Sequence, residues 1–242
     1  MIAPLYVGCA GWSLPRAHWP DFAGEGTHLQ RYASRFNAVE INSSFYRPHQ
    51  PNTYKRWAQS VPPAFRFSVK APKVITHELR LQHCETALDE FLEQCLHLGE
   101  KLGCLLIQLP PSLRYEPSVA LAFFSALRQR FAGAVVLEPR HASWLEAQAL
   151  LVDLQIGRVT ADPAVLDAGA GWQSVQYWRL HGSPRIYHSA YGPQRLQALA
   201  EQLRQCAESG MPAWCIFDNT ASGHAVTDGL LLLDLYPQHF QP

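Results

Sequence analysis

Phe65-Arg66-Phe67-Ser68-Val69-Lys70 alternates apolar and polar side chains without a break. Successive side chains of a strand point to opposite faces, so the run predicts a strand with one apolar face and one carrying Arg66, Ser68 and Lys70. The same reading applies to five other stretches. Val39 and Ile41 set Glu40 and Asn42 on the opposite face, and Val135 and Leu137 do so for Glu138. Val159 and Ala161 oppose Thr160 and Asp162; Trp178 and Leu180 oppose Arg179 and His181; Cys215 and Phe217 oppose Asp218. In a closed barrel one face of the sheet meets the helices and the other fills the interior, so the charged side chains are expected inside. The charged residues gather toward the C-terminal ends of the runs, where barrel active sites lie.

Eight short apolar runs recur along the 242 residues: Tyr6–Ala10, Ala38–Asn42, Phe65–Lys70, Leu105–Leu109, Val135–Glu138, Arg158–Asp162, Gln176–His181 and Ala213–Asp218. Helical spacing separates most of them. Leu88, Phe91, Leu92 and Cys95 form one stripe, and Leu196, Leu199, Leu203 and Cys206 another. Pro117 suits the first turn of a helix, and Ser143-Trp144-Leu145-Glu146 fits a capping box. Strands alternating with helices predict parallel βαβ units. The expected fold is therefore α/β, a TIM-barrel-like (β/α)8 single domain over residues 1–242. Asp167-Ala168-Gly169-Ala170-Gly171 reads as loop, so the helix after the sixth strand is expected to be short or missing.

Composition narrows the function classes. Hydrophobic residues make up 48% and charged residues 17%, which excludes disorder. The net charge is zero, against a broad nucleic-acid footprint. Arg outnumbers Lys 16 to 4, and Arg suits forked recognition of carboxylate or phosphate. Six cysteines form no C-x-x-C pair, as expected of reduced thiols in a cytoplasmic protein. Met1-Ile2-Ala3-Pro4 lacks a basic region leading into an apolar stretch, and no run reaches the ~20 residues of a membrane helix.

The expected interior sets Glu40, Glu138, Asp162 and Asp218 against Arg66, Lys70, Arg179 and Arg140. One reading is an ion-pair network that plugs the barrel. The other is a polar mouth for a phosphate- or carboxylate-bearing small molecule. In the second, Glu138, His181, Asp218 and Glu40 are the acid–base candidates. Trp12, Asn42, Tyr46, Lys70, Arg140, Arg179, Arg185 and Asn219 are the binding candidates. Arg179, His181 and Arg185, with the helix after Asn219-Thr220, are expected to form an anion site between the seventh and eighth strand ends. Several of these residues have ordinary alternatives: Trp12 as a lid on the core, Asn42-Ser43-Ser44 as a turn, Asn219 as a helix cap. Thr76-His77 falls in the loop after the third strand, where a lone His reads as a solvated side chain. Arg and Lys compete for the carboxylates, so neither metal nor cofactor is expected.

Together these stretches resemble the YecE-like family, domain of unknown function 72. The resemblance rests on Gly8–Trp12, Val39–Tyr46, Lys70 with Thr76-His77, Leu98–Pro111, Glu138–His141 with Trp144, Leu180–Tyr191 and Phe217–Gly223. It implies a TIM-barrel-like fold and supplies no reaction. Cys104 and His188 depart from the family pattern, where Pro and Tyr are common. The fold is similar to xylose-isomerase-like barrels, which include sugar isomerases and the endonuclease IV group. Three function classes stand: a ligand-binding barrel or an enzyme, as a hydrolase or isomerase, for a small anion; a nucleic-acid-binding or phosphodiester-processing barrel; and a scaffold with a degenerate barrel. In the second class Trp12, Tyr46, Tyr187 and Tyr191 would stack bases.

Overall fold

A computed structural model describes residues 3–164, 166 and 171–235. Among these are nine strand segments, most of them separated by helices. They are β1 (Leu5–Cys9), β2 (Ala38–Ile41), β3 (Arg66–Lys70), β4 (Leu102–Gln108), β5 (Val135–Glu138), β6 (Gly157–Arg158), β7 (Thr160–Asp162), β8 (Gln176–Leu180) and β9 (Ala213–Phe217). The α-helices are α1 (His28–Tyr32), α2 (Pro51–Gln59), α3 (Glu85–Cys95), α4 (Pro117–Arg130), α5 (Gln148–Asp153), α6 (Pro193–Glu208) and α7 (His224–Asp234).

Every strand pair is parallel, in two sheets ordered β2-β3-β4-β5-β6 and β1-β9-β8-β7. The sheets do not close into one continuous ladder. A single bridge, Ala10 with Glu40, links them on the β1–β2 side. On the other side β6 and β7 follow one another across Val159, whose N–H donates to the Leu137 carbonyl at 2.8 Å.

Local chemistry explains the helices. Pro117 and Pro193 occupy first turns, where a missing N–H costs nothing. Leu88, Phe91, Leu92 and Cys95 of α3 are buried, as their spacing predicts. In α6 Leu196, Leu199 and Leu203 are buried but Cys206 is only half-buried. The anticipated box at Ser143 does not form. His141 caps this 3-10 turn, its side chain accepting from the Ser143 N–H, while the Ser143 hydroxyl accepts from the Tyr115 N–H. Between Asp162 and Gln176 the described residues hold no helix; 167–170 of the expected loop lie outside them.

The strands carry apolar layers on both faces. Val7, Val39, Ile41, Phe67, Val69, Leu105, Ile107, Val135, Leu137, Leu180, Cys215 and Phe217 pack with the helices. A second cluster, including Ala38, Cys104, Leu106, Val136, Val159, Tyr177, Trp214 and Ile216, lies on the other face. Tyr177 stacks on Trp214, and Tyr6 packs against the same indole. The sixth run departs from expectation here. Val159 belongs to the inner layer, while Asp162 turns to α6 and takes the Arg195 guanidinium at 2.7 and 3.0 Å. The inner face is itself apolar at this level, so an apolar Val159 did not mark the helix side. A one-residue offset exchanges the faces of a strand.

β1 and β2 approach closely because Gly8 lacks a side chain: a Cβ there would sit 2.0 Å from the Ala38 carbonyl oxygen. Gly8→Ala is expected to destabilise the protein by about 1–3 kcal/mol or more, as overpacking does. A melting temperature equal to that of the unsubstituted chain would show that β1 and β2 can separate freely.

Candidate functional site

The inward side chains at the C-terminal ends of the strands form one charged cluster centred on Arg179 of β8. Its guanidinium is fully buried, and each nitrogen holds a carboxylate. Nε and Nη2 donate to Glu40 of β2 at 2.9 and 2.7 Å. Nη1 donates to Glu138 of β5 at 2.8 Å, and Nη2 lies 3.1 Å from Asp218, which follows β9. Beneath it the Tyr177 hydroxyl lies 3.0 Å from Glu40 Oε2 and 2.8 Å from the Ser68 hydroxyl. Removing buried charges from water costs several kcal/mol per ion, so this degree of pairing is required for the cluster to exist.

Above Arg179, His181 spans two acids. Its Nδ1 lies 2.9 Å from Asp218 Oδ2 and its Nε2 3.2 Å from Glu138 Oε1. Burial works against a charged imidazole here, but hydrogen bonds to Asp218 and Glu138 outweigh it and raise the His181 pKa. Burial likewise opposes ionisation of the two acids. Arg179 and His181 overcome it, leaving Asp218 below and Glu138 well below the ordinary carboxylate range. Arg140, two residues past β5, donates Nε to Glu138 at 2.9 Å. Its side chain keeps 21% exposure, so solvent reaches this guanidinium but not that of Arg179.

Lys70 ends β3 and is 6% exposed. Its ammonium lies 4.2 Å from the centre of the Phe45 ring and enters no ion pair with the described residues. The short turn Ser43–Phe45 after β2 sets that ring in place: the Ser44 hydroxyl sits between the carbonyls of Ile41 (2.8 Å) and Lys70 (2.6 Å). Burial first, and Arg179 next, bring the Lys70 pKa down to about 8 against the pull of Glu40, Asp218 and Glu138. His77 packs edge-on against Phe45, and its pKa is lowered by burial, then by the charges of Lys70, Arg140 and Arg80.

Glu40, Lys70, Arg179, Glu138, Arg140, His181 and Asp218 thus share one end of the strands. Other expected site residues lie elsewhere. Asp162 faces α6, and Arg66 reaches the carbonyls of Pro63 and Phe65 at the start of its own strand. Arg185 is exposed, and no ion pair to a described residue holds it over the cluster. The turn Gly182-Ser183-Pro184 therefore does not fold it back as anticipated. Tyr46 is 69% exposed, and Trp12 packs edge-on to Trp57 at 4.9 Å. Tyr191 is buried, its hydroxyl spent on the Gly182 N–H and the Asp162 carbonyl. Asn219 donates to the Ser189 carbonyl and to Asp228, fixing the loop after β9. The last helix starts at His224, past a turn, rather than directly after Thr220. Asn42 is half-buried, with an enclosed, unpartnered Oδ1. Sequence reading missed Tyr177 and Phe45 and set His77 aside. Tyr177 was accessible by parity, two residues before Arg179. Among the described residues no group of three His, Cys, Asp or Glu side chains is arranged to hold a metal.

These features define a parallel α/β protein with a buried, ion-paired polar cluster at one end of its strands. The chain belongs to the family described as protein of unknown function DUF72, which matches residues 6–241. The UPF0759 protein YecE of Escherichia coli K12 is 35% identical over 120 residues, covering 50% of this chain and 43% of YecE. The match therefore spans less than half of that relative. The UPF0759 protein YunF of Bacillus subtilis 168 is 24% identical over 96% of this chain and 94% of its own. The crystal structure of a DUF72 family protein from Thermotoga maritima superposes with a TM-score of 0.80 at 23% identity, over 97% of this chain and 100% of that one. One from Enterococcus faecalis gives 0.78 at 19%, over 98% and 97%. At these identities the structures speak for the fold alone.

Arg179→Met leaves three buried carboxylates without their shared cation and is expected to cost about 3–5 kcal/mol. In the unsubstituted protein the depressed Glu138 and Asp218 stabilise the fold above their unfolded pKa of about 4 and lose that contribution as pH falls through their folded values. In the variant their folded pKa values rise, so the deficit shrinks as the pH is lowered. Denaturant titrations at pH 4 and pH 7 measure this; an equal deficit at both would mean the carboxylates do not depend on Arg179.

His181 has the opposite sign. Its raised folded pKa adds stability that is complete below about 6.5 and fades as pH rises through the folded value. Imidazole NMR titration is expected to place His181 above that reference. Glu138→Gln should lower it, and an unmoved titration would count against the bridge.

Proposed function

We propose that the two sheets are the halves of one (β/α)8 barrel, a single domain, and that its polar end binds and transforms a small phosphate- or carboxylate-bearing molecule. The Ala10–Glu40 bridge and the one-residue step between β6 and β7 support the barrel. The hydrophobic cluster running from Leu5 to Leu233 supports the single domain. All six thiols are free and five are buried, which supports a reducing, cytoplasmic setting.

The bridge made by His181 between Asp218 and Glu138 carries the functional reading. An imidazolium fixed at both nitrogens is a positioned proton donor, and Asp218 sets its orientation through Nδ1. With His181 and Lys70 protonated, four cations (Arg179, Arg140, His181, Lys70) face three carboxylates (Glu40, Glu138, Asp218). The surplus positive charge suits an anionic ligand. Arg140 is the reachable guanidinium for it; Arg179, sealed among the acids, acts as a positioning residue. Hydrolysis and isomerisation both fit a donor of this kind. The nucleic-acid alternative is less supported, since Tyr191 is engaged and Trp12 is packed.

Inorganic phosphate is expected to raise the melting temperature of the unsubstituted protein, by ligand linkage. Arg140→Gln should abolish most of the gain. An equal gain in both would signify a general salt effect and remove the site. Binding to single-stranded DNA that falls steeply with salt would favour the phosphodiester reading instead.

A further inference from the structure

Lysine is scarce in this chain: Lys55, Lys70, Lys73 and Lys101 are its only four. Lys55 is exposed, Lys73 pairs with Glu78 at the surface, and Lys101 donates to the Pro62 carbonyl. Lys70 alone is buried; its nitrogen lies against the Phe45 ring, close enough to the charged cluster to feel Arg179, Glu40, Asp218 and Glu138, and makes no ion pair with a described residue. Three acids are close enough to influence it, yet Arg179 takes all three. Were Lys70 needed only to neutralise charge, its natural place would be against one of them. Burial limits its contact with water, and it is paired with no carboxylate that would lock the proton on.

We propose that Lys70 is a nucleophile that forms an imine with a small aldehyde or ketone carrying a carboxylate or phosphate group. The proposal rests on the reading of the polar end as an anion site, and it names the reacting group of the ligand. The neutral amine adds to the carbonyl carbon. The carbonyl oxygen receives one proton from the nitrogen and one from His181 Nε2 and leaves as water, and the product is a protonated imine on Nζ. Arg140 holds the anionic end. The protonated imine is the electron-withdrawing species that amine catalysis uses.

The groups facing Lys70 set its readiness. Arg179 of β8 and burial favour the free amine. Glu40 of β2, Glu138 of β5, Asp218 after β9 and the face of the Phe45 ring favour the ammonium, while the charges of Lys70 and Arg140 lower the pKa of nearby His77. With a pKa of about 8 rather than 10.5, the amine is free at neutral pH roughly two orders of magnitude more often than a surface lysine.

The test is reductive trapping. The full-length protein is incubated with pyruvate, and separately with dihydroxyacetone phosphate, in the presence of sodium cyanoborohydride. The expected product gains the mass of the probe less one oxygen, and peptide mapping places it on Lys70 roughly tenfold or more faster than on Lys55 or Lys73. Trapping should accelerate as pH rises through about 8. Lys70→Arg should give no adduct beyond the surface background, with an unchanged circular dichroism spectrum as the control for folding. No adduct with either probe, or one spread evenly over the lysines, overturns the proposal. Phosphate stabilisation that depends on Arg140 reports on the anion site independently. If it persists without trapping, the imine fails and the site stands; if both are missing, the site itself fails.

Discussion

One guanidinium holds the polar end of this molecule together. Arg179 collects a carboxylate from β2, one from β5 and one from the loop after β9, so its side chain ties together two sheets whose backbones meet at Glu40 only through the bridge to Ala10. The arrangement is demanding because no member can be deleted alone. An unpaired carboxylate in this layer would lack both water and a counter-charge. The pairing also fixes the electrostatics of everything above it. With the acids committed to Arg179, His181 bridges two of them, which raises its pKa, and Lys70 is left without one.

Much of this was legible in the sequence because a strand has a period of two. The alternation of Phe67 and Val69 with Ser68 and Lys70, or of Trp178 and Leu180 with Arg179 and His181, identifies the faces before any contact is known. Parity failed at Val159 and Asp162, where the strand is broken and the inner face is itself apolar, so apolar character no longer distinguished the two sides. Parity also says nothing about height along a strand axis: Arg66 has the inward phase but reaches its own strand's start. Loop residues were the hardest. Nothing local in Ser183-Pro184-Arg185 reveals that Arg185 turns to solvent. The turn that lays Phe45 over Lys70 depends on a hydroxyl reaching a carbonyl 26 residues away.

The same constraint explains why residue types were easier to pick than roles. Arginine and lysine both appeared as ligand-binding cations in the sequence. The structure separates them by access: Arg179 is sealed, Arg140 meets solvent, and Lys70 is nearly covered yet unpaired. Each would respond differently to a substitution with the same charge. Guanidinium geometry is irreplaceable where it forks between carboxylates, whereas at Lys70 the unshared electron pair of an amine is what arginine lacks.

The stacked Tyr177 and Trp214, with Tyr6 beside them, lie below the charged layer. These buried rings underlie the charged layer, while Arg140 is the guanidinium that solvent reaches. Under the proposed function, ligand and product would share that one side, so a product would block its successor until it left.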